Sequence, residues 1–417
     1  MFALQSLANS IQDGMADVSS PPLLDGLDIV TFANDWTADP TSKHHIMRRF
    51  SRTNDVLWVE AAGMRAPKLA SAYDRRRLLT KAKAMLRRSR PALDRLHVIS
   101  PPALPYPQSS LAQQANSLLY HFTIRRELDR LGMDREPILC SFVPQCAPYI
   151  RRLPRRLLIY YCVDRWSAFE GFDASTMERG EQELCESADL VIASAQDLAE
   201  RCARFASNVH YVPHGVDYEH FASALTNDPL PDDLARIPGP RIGFFGLIHE
   251  WVDVELIGQL AAAMPTCSFV IIGSAKTDMS AVDGKPNVFV LGRRPYAELP
   301  AYSRGFHAAI VPFRMTELTH SVNPIKLREY AAAGLPIVSS PLPEVRKCGD
   351  IATCASTFDE WVDALRSAIE RGGDADARRA QSLRVRHEDW AFRCADIARL
   401  VDDADRTRVP ALRQTGT

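Results

Sequence analysis

The chain has 417 residues, 46% of them hydrophobic, which is enough for two cores because a single core seldom grows beyond about 250 to 300 residues. The formal net charge is −1, yet residues 41–160 hold 23 Lys and Arg against 8 Asp and Glu, so the first half of the chain is locally basic. Nine scattered cysteines, no N-terminal leader pattern and no apolar run of about 18 to 20 residues argue against secreted and membrane-spanning classes, and we expect a soluble cytoplasmic protein.

Short β-branched and aromatic runs alternate with helical patterns along the chain, which is typical of parallel α/β layers. The first half predicts seven strands, at 28–34, 55–60, 96–100, 137–142, 157–163, 189–194 and 208–215. A stretch rich in Pro and Asp at 225–240 has no sustained period and predicts a connection between two domains. The pattern then restarts with six predicted strands, at 241–246, 268–273, 287–292, 307–313, 336–341 and 351–356.

The stretch SVNPIKLREYAAAGLPIVSS, at 321–340, predicts a short helix directly after a strand. Asn323 suits an N-cap, Pro324 the first helical position and Gly334 the exit, so the helix should cover about 324–333. A helix that follows a strand of a parallel sheet begins at the carboxyl edge of that sheet, where ligands bind.

Two charged residues in this helix indicate what the ligand is. Lys326 adds a positive charge to the first turn, where helix N-termini already attract anions such as phosphate. Glu329 lies one turn further on the same side, where a carboxylate can accept hydrogen bonds from the vicinal hydroxyls of a ribose. Together they predict a nucleotide site, although a solvated i,i+3 ion pair explains the spacing of the two residues equally well.

Several motifs in a fixed order resemble those of GT-B glycosyltransferases, in particular the large bacterial group 1 or family 4 type that includes glycogen-synthase-like and sucrose-synthase-like enzymes. The run NPIKLREYAAAGLPIVSS resembles their donor-nucleotide segment. VPHGVDYEHF (212–221) resembles the motif that ends the acceptor domain, and GFFGLIHEW (243–251) the first strand and loop of the donor domain. NVFVLGRRPYAELPAYSRGFHAAIVPF (287–313) resembles the central strands of that domain, so the resemblance covers about residues 28–400.

This resemblance implies a fold and a domain layout. The fold would be α/β of the GT-B type, with two Rossmann-like parallel α/β/α domains that face a central cleft and a C-terminal helix that crosses back. Residues 25–224 would bind the acceptor, residues 239–385 would bind the nucleotide-sugar donor, and residues 386–404 would form the crossing helix on the first domain.

The resemblance also implies roles for residues of the donor domain. Glu329 would bind the nucleotide ribose and Lys326 the diphosphate, where it would also act in catalysis. The backbone around Gly246 would approach the phosphates, with His249 in the loop beyond it. Arg293 lies where the family has its uracil-contacting segment.

The sequence departs from the family pattern at one position. The family has a second glutamate eight residues before the ribose glutamate, where it contacts the donor sugar, and this chain has Ser321 there. Glu317 is the alternative contact if the loop is longer. Asn323, at the start of the same helix, is also counted among the donor-binding residues.

Asp164 is the candidate for chemistry in the first domain. It follows the strand LLIYYCV, which places a carboxylate at the carboxyl end of a strand, where it could take the proton of an acceptor hydroxyl. The segments at 33–50 and CVDRW resemble those of the xanthan glucuronosyltransferase type, an inverting GT-B group in which an aspartate matching Asp164 serves as base. The alternative is that Asp164 caps a helix or pairs with Arg165 or another nearby basic residue.

The segment after the first strand holds four basic or titratable residues, Lys43, His44, His45 and Arg48. They suit the N-terminal half of a helix, a place for donor phosphate or for a charged acceptor. Either histidine could equally be a packed, hydrogen-bonded residue.

The segment 71–90 predicts a basic amphipathic helix with an apolar stripe. Such a helix can lie on anionic lipid at the inner face of the cytoplasmic membrane, and it can equally be an ordinary packed helix with a solvated basic face. The local charge favours the membrane, because bacterial enzymes of the type resembled often act on lipid-linked acceptors.

The expected function is therefore transfer of a sugar from a nucleotide-sugar, a UDP-sugar by family habit, to a hydroxyl of a lipid-linked or cell-envelope glycan precursor. No cofactor or metal is implied, because Lys326 and helix N-termini can carry the charge of the departing diphosphate. The motifs of dehydrogenases and P-loop NTPases are absent, and no nucleic-acid module appears. The alternatives are a nucleotide-sugar 2-epimerase of the same fold and a non-catalytic protein whose basic surface binds nucleic acid or membrane.

Overall fold

Two parallel β-sheets organise the chain in the computed structural model, which describes residues 24–61, 88–103 and 110–414. The first sheet contains β1 (Asp28–Ala33), β2 (Asp55–Glu60), β3 (Arg90–Leu93), β4 (Leu96–Ile99), β5 (Ile138–Ser141), β6 (Leu157–Cys162), β7 (Leu190–Ala193) and β8 (Val209–Tyr211). Its strand order is β3-β4-β2-β1-β5-β6-β7-β8, and every pair except β3 with β4 is parallel. All seven strands predicted for this half are present. The short edge strand β3 was missed, because the sequence RPAL has a proline and no apolar alternation.

Helices connect these strands in the way that parallel sheets require. They are α1 (Ser42–Phe50), α2 (Ser110–Leu131), α3 (Ala147–Ile150), α4 (Ala174–Ser187), α5 (Gln196–Cys202), α6 (Tyr218–Ala222) and α7 (Asp232–Ala235). The core strands are buried along their length, as expected for a sheet covered on both faces, and the aromatic side chains of Trp58, Tyr160 and Tyr161 fill the space beside them.

The second sheet contains β9 (Arg241–Phe245), β10 (Ser268–Ile272), β11 (Val288–Gly292), β12 (Ala308–Val311), β13 (Ile337–Ser339) and β14 (Thr353–Cys354), in the order β11-β10-β9-β12-β13-β14. All pairs are parallel and all six predicted strands are present. The remaining helices are α8 (Val254–Ala263), α9 (Leu299–Arg304), α10 (Glu317–His320), α11 (Ile325–Ala332), α12 (Pro343–Arg346), α13 (Phe358–Gly372), α14 (Ala375–Leu383) and α15 (Trp390–Gln414). This half has a hydrophobic core of its own.

The last helix crosses back to the first domain, as expected from the resemblance. Trp390, at its start, belongs to the core of the first sheet together with Ile397 and Val401 further along. Two ion pairs hold this helix on the first domain. Arg49 binds Asp389, just before the helix, at 2.8 Å, and Arg408, near its end, binds Asp189 at 2.6 Å. Side chains beyond Arg408 lie outside the described residues. The two sheets are therefore held by a shared C-terminal element.

Three sequence-based expectations concern the basic segment, membrane-spanning helices and the cysteines. Most of the basic segment 71–90 lies outside the described residues. Only its last three residues, 88–90, are described. In the described ranges no helix is long and apolar enough to cross a membrane. The nine cysteines are all unpaired, and seven of them are buried.

Candidate functional site

The helix α11 begins at Ile325, with Pro324 in the N-cap position. The sequence prediction was one residue early: Asn323 does not cap the helix, and no side chain does. The exit at Gly334 is as predicted, because its φ of 74° is a left-handed conformation that glycine adopts without strain. The N-terminus of α11 lies at the carboxyl edge of the second sheet, close to the first domain, since Ile325 packs against the first core.

Lys326 stretches over the backbone of Gly246 at the end of β9. A Cβ atom at Gly246 would lie 2.1 Å from Cε and 2.6 Å from Nζ of this lysine, so a side chain there would push the end of the lysine aside, and the φ of 132° is one that residues other than glycine rarely adopt. The Nζ atom is 6.0 Å from the ring centroid of Phe244 and 5.9 Å from that of Phe313. In the described part of the chain it forms no ion pair, which leaves a cation at a helix N-terminus for an anion.

Glu329 lies one turn along α11 and is buried. Its carboxylate has no hydrogen-bond or ion-pair partner among the described residues. Burial raises the pKa of Glu329 to about 7; the positive charge of Lys326 lowers it and the nearby Asp217 raises it. A buried carboxylate without a partner is costly unless a ligand supplies hydrogen-bond donors, and hydroxyl groups would do so.

Tyr296 was missed by the sequence reading and lies beside Glu329. Its hydroxyl is buried without a partner, and burial, with the charge of Glu329, raises the pKa of the phenol. The ring stacks on His220 with centroids 4.8 Å apart. A tyrosine in the segment RRPYAEL gives no sequence signal of its own, because its interaction with Glu329 arises only from the packing of residues that are distant in the chain.

Asn323 and Arg328 connect α11 to the first domain and to the crossing helix. The Asn323 amide donates to the Ser194 carbonyl oxygen at 2.8 Å, across the domain boundary, and accepts from Arg328 at 2.7 Å. Arg328 is buried and also binds Glu388 at 2.5 Å, which in turn binds Arg393 at 3.0 Å. Asn323 thus holds the start of α11 in place, and these contacts use both polar atoms of its side chain.

Ser321 and Glu317, the two candidates for contact with the donor sugar, both bind the first domain instead. The buried hydroxyl of Ser321 donates to the carboxylate of Asp197 at the start of α5. Glu317 pairs with Arg165 across the cleft. Neither Asp197 nor Arg165 could be assigned from sequence, since each partner comes from the other domain.

Asp164 follows β6 on the cleft side, partly exposed and with no partner for its carboxylate among the described residues. Asp164 does not cap the turn at Trp166–Ala168, and Arg165 pairs with Glu317. The nearby basic residue is Lys43, whose charge acts on Asp164 without an ion pair at contact distance. Burial raises the pKa of Asp164 to about 7, while the charge of Lys43 lowers it. The same pair shifts Lys43, whose pKa burial lowers to about 8 against the attraction of Asp164. A carboxylate with a pKa near neutrality in a cleft can act as a general base.

The two histidines of α1 are packed and neutral, and His44 is also hydrogen-bonded, whereas the buried Nε2 of His45 has no partner among the described residues. His44 shares a capping box with Thr41 and lies 5.1 Å from the Trp58 ring, and burial lowers its pKa to about 4. His45 stacks on Trp390 at 5.3 Å, and burial lowers its pKa to about 3.

His249 and Arg293 lie further from the centre. The His249 ring stacks on Trp251 with centroids 4.5 Å apart and has Nδ1 3.7 Å from the Glu250 carboxylate. Arg293 is exposed after β11 and binds both carboxylate oxygens of Asp39 in the first domain, at 2.6 and 3.2 Å. Within the ranges that the structure describes, no group of three or more His, Cys, Asp or Glu side chains is arranged to hold a metal ion.

The arrangement of the two domains is similar to that of solved structures. Sucrose-phosphate synthase from Thermosynechococcus elongatus matches with a TM-score of 0.64 and 12% identity over 90% of this chain and 98% of that one. Anabaena HepE, solved in complex with UDP and glucose, matches with a TM-score of 0.62 and 15% identity over 90% and 99% of the two chains. The chain has the GT-B fold.

Sequence comparison agrees with this fold for the second domain, which holds Lys326 and Glu329. Residues 239–371, which lie in the second domain, match the model of the family described as glycosyl transferases group 1. TuaH of Bacillus subtilis, named provisionally as a teichuronic acid biosynthesis glycosyltransferase, is 26% identical over 255 residues, 56% of this chain. The matched part spans 64% of the length of that relative.

Proposed function

We propose that this protein is a glycosyltransferase that moves a sugar from a UDP-sugar to a hydroxyl group of a cell-envelope glycan precursor, lipid-linked or polysaccharide. The observation that carries the proposal is the pair of unpartnered charged side chains on α11, Lys326 over Gly246 and the buried Glu329, at the carboxyl edge of a group 1 glycosyl transferase domain. The UDP-bound structure of HepE supports uridine as the base, and the name of TuaH supports an envelope glycan as the product.

The donor would bind with its diphosphate at the start of α11. Lys326 and the free backbone N–H groups of the first turn supply positive potential there, and Gly246 lets the phosphates come close to the backbone. Glu329 would accept hydrogen bonds from the ribose hydroxyls, and the buried hydroxyl of Tyr296, which has no partner among the described residues, would join them. As the bond between the anomeric carbon and the diphosphate breaks, the negative charge that develops on the diphosphate is stabilised by Lys326.

The acceptor would bind on the side of the first domain. Asp164, when ionised, takes the proton of the acceptor hydroxyl as its oxygen bonds to the anomeric carbon, and UDP departs. Lys43 stabilises the ionised form of Asp164, since each charge shifts the pKa of the other in the direction that favours the ion pair. The contacts of Ser321 and Glu317 with the first domain leave the sugar ring to be held by other groups in this cleft.

A thermal-shift panel of UDP, GDP, dTDP, ADP and their common sugars tests the donor site, because a ligand that binds the native state raises the melting midpoint. We expect UDP and one or more UDP-sugars to stabilise the protein selectively, and Glu329→Gln to remove most of the shift. Arg379→Met, which removes an exposed charge of α14, serves as a control and should keep the shift. No shift with any nucleotide at millimolar concentration would refute the donor site.

Two further outcomes separate this activity from its alternatives. Turnover of a UDP-sugar to its 2-epimer without an acceptor would indicate an epimerase, whereas release of UDP that depends on an acceptor indicates transfer. We propose that transfer needs no metal ion, because Lys326 and the helix N-terminus carry the diphosphate charge. Loss of UDP release in EDTA, restored by Mg²⁺ or Mn²⁺, would contradict this part.

A further inference from the structure

The helix α2 exposes a stripe of large apolar side chains to solvent. Leu111 is 76% exposed and Phe122 68% exposed, and Leu118 and Leu119 between them are exposed as well. Positions 111, 118 and 122 are separated by seven and four residues, so they share one face of the helix. The opposite face, with Tyr120 as one of its members, is buried in the core. We call the four exposed side chains the α2 stripe.

Exposed apolar side chains are more concentrated in the α2 stripe than elsewhere on the described surface. It contains four of the thirteen large apolar side chains that are exposed among the described residues, and most of the others lie singly on separate elements. Single exposed apolar residues are normal on a protein surface, whereas a contiguous apolar patch marks a place where a partner or a membrane binds.

Basic residues border the stripe at its C-terminal end. Arg125 and Arg126 are exposed on the next turn of α2. The contacts of Ser89, whose N–H donates to Glu127 at 3.2 Å and whose hydroxyl is bound by Arg130, hold the chain before β3 against the same helix.

The same contacts place two further arginines beside the C-terminal half of α2. Arg88 and Arg90, on either side of Ser89, are exposed beside α2. Residues 62–87, which run directly into Arg88, contain eight Lys and Arg against one Asp in sequence. Four exposed arginines, Arg88, Arg90, Arg125 and Arg126, therefore lie at the C-terminal half of the helix that carries the stripe.

We propose that the α2 stripe and its basic border form a docking surface for an anionic lipid bilayer, with Leu111, Leu118 and Phe122 inserted among the acyl chains and the arginines at the headgroups. A bilayer is the partner whose chemistry fits both features, since apolar side chains gain by leaving water and each basic residue is attracted by anionic lipid. A nucleic acid would account for the arginines and leave the exposed leucines and phenylalanine unexplained.

The helix that carries the stripe packs near the carboxyl edge of the first sheet. The Ser117 hydroxyl donates at 3.1 Å to the carbonyl oxygen of Pro148, which lies just beyond the carboxyl end of β5. Arg90 pairs with Val98 near the carboxyl end of β4. Asp164 lies at the same edge of the sheet, after β6. Resting on the proposed function, we infer that docking brings a lipid-linked acceptor to the cleft, whereas the docking itself does not depend on any activity.

The test is co-sedimentation of the full chain with vesicles of phosphatidylcholine alone and with 30% phosphatidylglycerol added, a fraction of anionic lipid on the order of that in anionic membranes. We expect binding to the anionic vesicles that weakens with salt, and a loss of about tenfold or more in affinity for the double variant Leu111→Gln/Phe122→Gln. Leu383→Gln is the matched control, because Leu383 is 58% exposed on the second domain, and it should bind as the unchanged protein does.

Insertion has its own readout. In a Phe122→Trp variant, tryptophan emission should shift to shorter wavelength on anionic vesicles and be quenched by lipids brominated in the acyl chains. Binding without quenching would mean that the charges alone hold the protein, and it would overturn the proposal. Equal affinity of the double variant and the unchanged protein for the vesicles would also overturn the proposal. This holds whether the stripe is then found to be covered by residues 62–87 or the basic surface is found to prefer random RNA. UDP-induced stabilisation, measured on the same variants, shows separately whether the donor site is intact.

Discussion

Substitution of Asp164 by Asn tests the proposed base directly. The change keeps the size of the side chain and removes its ability to accept a proton, so UDP release in the presence of an envelope lipid extract should fall by about 10²- to 10⁴-fold. Binding of UDP should change little, because Lys326 and Glu329, which are proposed to hold the donor, are in the other domain.

The pH dependence of kcat follows from the pKa of Asp164, raised to about 7 by burial. The base must be ionised, so activity is present above that pKa and is lost as the pH falls through it. With a pKa of about 7, roughly one tenth of the protein is active at pH 6 and roughly nine tenths at pH 8. We expect kcat to rise about tenfold between these two values.

Lys43 gives the control for this reasoning. Removal of its positive charge in Lys43→Met should raise the pKa of Asp164 and move the midpoint of the profile to higher pH, whereas Lys43→Arg should restore much of it. Arg366→Met removes an exposed charge on α13 and should leave the midpoint unchanged. A profile without an acidic limb, a midpoint unmoved in Lys43→Met, or a loss of less than about threefold in Asp164→Asn would refute the assignment of the base.

Other predictions concern the donor site and its support. Glu329→Gln should weaken UDP binding by about 10- to 100-fold and abolish the preference for UDP over its 2′,3′-dideoxy analogue, as measured by calorimetry. Because burial raises the pKa of Glu329 to about 7, the same preference should fade in the unchanged protein as the pH drops below 7. Gly246→Ala should displace the Lys326 side chain, which a Cβ would meet at 2.1 Å, and weaken UDP binding to a similar extent while the fold is kept. Arg328→Met removes one partner of a buried ion pair with Glu388 and should lower the free energy of unfolding by about 3 kcal/mol, measured by chemical denaturation.

Each of these has an outcome that contradicts it. Unchanged discrimination between UDP and its dideoxy analogue in Glu329→Gln would remove the ribose from this carboxylate. Tight UDP binding in Gly246→Ala would show that the lysine can reach the phosphates by another path. Arg379→Met, a substitution of an exposed arginine, should stay within about 0.5 kcal/mol, and a cost equal to that of Arg328→Met would mean that burial of the ion pair is not the reason.

The sequence determined the elements and their order. Strands were readable because parallel strands buried on both faces need continuous β-branched and aromatic runs, and the missed strand, Arg90–Leu93, is an exposed edge strand that lacks this pattern. The local constellation on α11 was readable for a similar reason, since a lysine and a glutamate one turn apart in a helix must project to one side wherever the helix lies.

The tertiary structure alone decided which side chains are already engaged. Asn323, Ser321 and Glu317 were predicted at the donor, and all three contact the first domain, at partners that are about 120 to 150 residues away in sequence. Tyr296, 33 residues before Glu329 in the chain, interacts with it only because the chain is folded. Sequence periodicity fixes the direction of a side chain relative to its own helix or strand, whereas its partners depend on how elements distant in the chain are packed, and no local pattern contains that information.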